Sequence, residues 1–139
     1  MKNIVLFLFS TILLMVSCSD DPSTDGRSPV FDKITFAPSS TVAPNDSVTA
    51  TVEYKTPGNN VYFKYVYKIR GNGIEIESDP ILILKPKKEQ PVFGFRAPLT
   101  AGVYTVTVVT TSVQYTSLGP GGAVYGNPTS ASATLTVRE

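Results

Sequence analysis

Ser47-Val48-Thr49-Ala50-Thr51-Val52-Glu53-Tyr54, "SVTATVEY", decides the fold class. Val48, Ala50, Val52 and Tyr54 alternate with Ser47, Thr49, Thr51 and Glu53. Successive side chains of a strand point to opposite faces, so this period of two, rich in β-branched residues, predicts a half-buried strand. The apolar set faces a core and the polar set faces water.

The same signal recurs on both sides. Upstream, "FDKITF" places Ile34 and Phe36 on one face, and "APSSTVAPND" with Pro38 and Pro44 is a turn region. Downstream, "TPGNN" (56–60) is a loop. "VYFKYVYKIR" then puts Val61, Phe63, Tyr65, Tyr67 and Ile69 inward and Tyr62, Lys64, Val66 and Lys68 outward. "GNG" (71–73) is a tight turn. "IEIESDPILIL" gives one or two short strands broken at Pro80, "KPKKEQP" a charged loop, and "VFGF" a strand with Phe93 and Phe95 inward. "PLTAGVYTVTVV" puts Tyr104, Val106 and Val108 on one face, and "ATLTV" closes with Ala133, Leu135 and Val137 inward. No helical apolar spacing follows residue 17. Seven or eight short strands with turns about every ten residues predict an all-β, antiparallel sandwich over residues 30–139.

A family resemblance enters at "AGVYTVTV", Ala101 to Val108. This run resembles the entry to the penultimate strand of bacterial immunoglobulin-like modules. The resemblance implies a tyrosine corner at Tyr104, its hydroxyl bonding back to the chain just before the strand. The disulfide and tryptophan of antibody domains are absent, which places the resemblance in the bacterial or fibronectin-III-like branch.

The chain begins Met1-Lys2-Asn3 and continues "IVLFLFSTILLMV", Ile4 to Val16. Thirteen helical residues span roughly 20 Å, short of the roughly 30 Å hydrocarbon core, so a secretory signal fits better than a membrane span. Ser17 precedes Cys18, the sole cysteine. This resembles a bacterial lipobox. It implies a signal peptide over 1–17 and a lipidated Cys18, whose two or three acyl chains hold the protein stably in a bilayer. Ser19-Asp20-Asp21 resembles the export signal of Bacteroidota-type lipoproteins, which implies the cell surface of the outer membrane. Residues 18–29, rich in Pro, Gly and Ser, read as a flexible tether.

Removing the first 17 of 139 residues takes away Lys2 as the only charge, leaving eleven basic against eleven acidic residues. That composition gives no overall basic field for nucleic acid or anionic lipid. Lipidation of Cys18 leaves no thiol for a disulfide. With no histidine, neither a Ser-His-Asp nor a Cys-His arrangement can form, and no imidazole metal ligand exists. The acids Asp32, Asp46, Glu53, Glu75, Glu77, Asp79 and Glu89 read as solvated, so no catalytic residue, metal or cofactor is assigned.

Three features remain as candidate surfaces. Glu75, Glu77 and Asp79 share a strand face at about 6.8 Å spacing. That is wide for one calcium ion without a bend at Pro80, and the row reads better as charge guarding an edge strand. Tyr62, Phe63, Tyr65 and Tyr67 form an aromatic strand whose last three members read as core. Finally, pairing Val106 with Ala133 makes the last hairpin long. It then carries Tyr115, Leu118 and Tyr125 near a Gly-Pro-Gly-Gly tip, and this is the candidate binding hairpin. The resemblance implies a non-enzymatic binding or scaffold module for glycan or protein at the cell envelope. An assembly subunit pairing through a strand edge is the alternative.

Overall fold

Backbone pairing turns the alternating segments into two facing sheets. A computed structural model describes residues 28–58, 62–114 and 128–139. Among them are nine strands and no helix: β1 (Val30–Ala37), β2 (Thr41–Val42), β3 (Ser47–Thr56), β4 (Tyr62–Gly71), β5 (Ile74–Glu77), β6 (Ile81–Ile83), β7 (Val92–Arg96), β8 (Gly102–Gln114) and β9 (Ser130–Val137). One sheet runs β1-β3-β7. The other runs β2-β9-β8-β4-β5, with β6 also pairing β4. This is an immunoglobulin-like sandwich, and the described chain is all-β.

The "SVTATVEY" strand behaves as its pattern dictates. Val48, Ala50 and Val52 are buried and Tyr54 packs against the core, while Ser47 and Thr49 are exposed. In the facing sheet, Phe63, Tyr65, Ile69, Tyr104, Val106, Val108 and Leu135 are buried. The pair Val106 and Ala133 is in register. Aromatic rings join the layers: Phe31 of β1 lies 6.1 Å from Phe63 of β4, and Tyr67 of β4 stacks on Phe93 of β7 at 4.3 Å. Such ring pairs add about 0.5–1.5 kcal/mol beyond the area they bury.

Three details depart from simple alternation. β2 and β9 form a parallel pair, whereas the other pairs are antiparallel. The chain changes sheets between Ala37 and Thr41 and meets β9 running the same way. Second, β8 carries an extra residue, Thr111, where Lys64 pairs Ser112 and Tyr65 pairs Thr110. The bulge turns Val113 into the core in place of Ser112. It leaves Thr110 buried, but the hydroxyl accepts the Thr129 N–H at 2.8 Å and donates to the Thr129 carbonyl, so no polar atom is stranded. Third, Val66 is buried although it faces away from the core layer.

The sandwich has two distinct ends. At the N-terminal end, Val30 pairs Thr56 and Tyr62 pairs Gln114. At the far end, Asn72 and Gly73 form a two-residue turn between Gly71 and Ile74, both at positive φ, as a type I′ hairpin requires. There Asn72 Nδ2 donates to the Ala101 carbonyl at 3.1 Å, and Arg96 Nη1 donates to the Asn45 carbonyl at 3.2 Å.

Candidate functional site

Cys18, Ser19, Asp20 and Asp21, and the hairpin residues Tyr115, Leu118 and Tyr125, lie outside the described residues. Tyr104 is fully buried, and its hydroxyl donates to the Thr100 carbonyl four residues back at 2.7 Å. That is the bond a tyrosine corner makes. Glu75 and Glu77 do share the outer face of β5, but each carboxylate is engaged across the ladder. Glu75 meets Arg70 at 2.6 Å and Glu77 meets Lys68 at 2.9 Å. The two charge pairs line the edge of the larger sheet, and Asp79 lies beyond the strand. Among the other acids, Glu53 pairs with Lys33 and Asp46 accepts the Ala43 N–H.

The aromatic strand divides as its alternation dictates. Phe63 and Tyr65 are buried, Tyr67 packs against the core, and Tyr62 is half-buried on the outer face. The core tyrosines keep a polar reach. Tyr54 donates to the Glu89 carbonyl at 3.1 Å and Tyr65 to the Val92 carbonyl at 3.4 Å. Burial, reinforced by neighbouring Tyr67, pushes the Tyr65 hydroxyl up to about 12. Burial, with Tyr65 and Glu89 nearby, pushes Tyr54 well above its ordinary value.

The Tyr54 bond ties down the 84–91 connection between β6 and β7, and the Tyr65 bond holds the first residue of β7 just beyond it. Pro86 and Pro91 are buried while Lys85, Lys87, Lys88, Glu89 and Gln90 are exposed. The N–H groups of Lys88 and Glu89 both donate to the Lys85 carbonyl, at 2.8 and 2.9 Å, closing a tight turn. Leading into it, Ile81 and Ile83 face inward opposite Tyr65 and Phe63. Leu82 and Leu84 therefore point outward, at 45% and 61% exposure. Phe31, near the start of β1, lies 5.9 Å from Tyr54. The lysine turn thus sits at the N-terminal end, where the chain enters the domain.

The sequence shows this turn only as a charged loop. Its proximity to β1 depends on a contact between Tyr54 and Glu89, 35 residues apart. The readable signal is the juxtaposition of "ILIL" with "KPKK".

A second exposed feature is the open side of β7, which pairs only β3 among the described residues. Pro91 and Ala97 bond to β3 and the turn before it. By the alternation of an antiparallel ladder, the backbone groups of Val92, Gly94 and Arg96 face away from β3, and the Val92 carbonyl is already taken by the Tyr65 hydroxyl.

No protein-family model matches the chain, and no curated protein matches it. Among solved structures it is similar to the CARDB domain of the PF1109 protein from Pyrococcus furiosus, determined in complex with di-metal ions. That similarity has 16% identity, covers 79% of this chain and 94% of that one, and has a TM-score of 0.44.

Proposed function

We propose that this chain is a non-catalytic, lipid-anchored binding or scaffold module of the bacterial outer membrane, displayed at the cell surface. The observation that carries the reading is the lone Cys18, set between a short apolar run and a polar stretch that leads directly into a rigid sandwich. Acylation of that thiol holds the domain at a bilayer by its N-terminal end. The far-end turns then face away from the lipid. A glycan or protein ligand is recognised by the hairpin carrying Tyr115, Leu118 and Tyr125, which follows Gln114, the partner of Tyr62 at the anchored end. Cys18→Ala tests the anchor: the variant leaves the membrane fraction and loses its mass increment of acyl chains. Retention of Cys18→Ala in washed membranes contradicts lipid anchoring.

The open side of β7 favours a second reading, a subunit that accepts a strand from an envelope partner. Val92→Lys with Gly94→Lys adds the charges that stop edge pairing. Loss of a co-purifying partner from this variant alone supports assembly over ligand display.

A further inference from the structure

We propose that the β6–β7 turn is a bilayer-docking face. Leu82 and Leu84 insert among lipid chains, and Lys85, Lys87 and Lys88 engage anionic headgroups. The net charge of the chain is close to zero, but the fold segregates charge. Glu53, Glu75 and Glu77 are neutralised by cations across the strand ladders of β3 and β5. No carboxylate among the described residues pairs with the three lysines of the turn. The turn is not free to bury those amines elsewhere. Pro86 is buried, the Lys85 carbonyl closes the turn, and Tyr54 holds Glu89.

The apolar component is equally specific. Leu84 is 61% exposed and Leu82 45%, in and just after β6, where the chain runs into the lysines. Exposed leucines next to lysines that have no carboxylate partner among the described residues are the composition of an interfacial anchor. Position favours a bilayer over a soluble partner. Phe31 and Tyr54 place the turn beside the start of β1. The twelve residues from Cys18 to Pro29 span at most about 40 Å when extended. An acylated Cys18 therefore keeps this face within reach of the headgroups, and this part of the inference rests on the lipid-anchor reading. Each lysine near an anionic surface raises partitioning roughly fivefold, and salt screens the effect.

The test uses the full chain, extracted from membranes and returned to vesicles of phosphatidylcholine alone or with added phosphatidylglycerol. Leu84→Cys carries an environment-sensitive fluorophore, and Val103→Cys, 61% exposed at the far end in the native chain, carries it for comparison. The expected result is a blue-shifted spectrum, quenched by nitroxide lipids, at position 84 only. It requires phosphatidylglycerol, and it disappears in high salt and in K85Q/K87Q/K88Q. A chain that floats with the vesicles while both labels remain water-like overturns docking and leaves the anchor standing. A chain that does not float with vesicles overturns both.

Discussion

Tyr104 shows how one hydroxyl is used in this core. It is fully enclosed, and its bond to Thr100 fixes the chain just before β8. Tyr104→Phe keeps the ring and strands the carbonyl. The expected loss is about 1–2 kcal/mol, read as a lower urea midpoint at unchanged slope. Tyr54 and Tyr65 give a different signature. Their hydroxyls are held neutral above the ordinary value of 10.0, with Tyr65 at about 12. A raised folded-state value means that stability is fully present below the unfolded value and is lost as pH rises through the folded one. Unfolding free energy therefore falls between pH 10 and about 12, by about 1.4 kcal/mol per pH unit for each tyrosine held neutral. Urea titrations across this window check the slope, and Tyr65→Phe flattens it.

At the scale of elements, β4 and β5 form a charge-guarded edge. The partners Arg70 and Glu75 are more than half exposed, so their attraction is weak in water. E75Q/E77Q shifts stability by less than about 1 kcal/mol, and calcium chelation leaves the melting temperature of the native chain unchanged. The variant K68Q/R70Q/E75Q/E77Q self-associates more at high concentration, seen by light scattering, because the edge has then lost its charges of both signs. In contrast, Phe93→Ala removes a ring stacked on Tyr67 and costs about 3–5 kcal/mol. These elements were legible in the sequence wherever one face is core and the other is water. That condition holds for Ser47–Tyr54 and for Tyr104–Val108. It fails at β8 beyond Val109, where the Thr111 bulge shifts the inward positions by one. No local pattern marks that bulge, because the partner that stabilises Thr110 is Thr129.

For the whole molecule, the sandwich and its Tyr104 run could be read from sequence, but the distribution of charge over the surface could not. A composition near neutrality hides a turn of three lysines with no carboxylate partner among the described residues, because ion pairs form between strands that only the fold brings together. The lysine turn reaches the start of β1 through Tyr54 and Glu89, a contact with no local sequence signal. The proposed anchor is argued from Cys18 and its neighbours alone, since lipidation needs a short accessible stretch and no tertiary structure. Surface display is tested by digesting intact cells with external protease, following the domain with an antibody and a periplasmic protein as control. A surface-displayed domain is lost from unbroken cells while the control survives. Protection of the domain until the cells are lysed would contradict surface display and would turn the sandwich toward the periplasm.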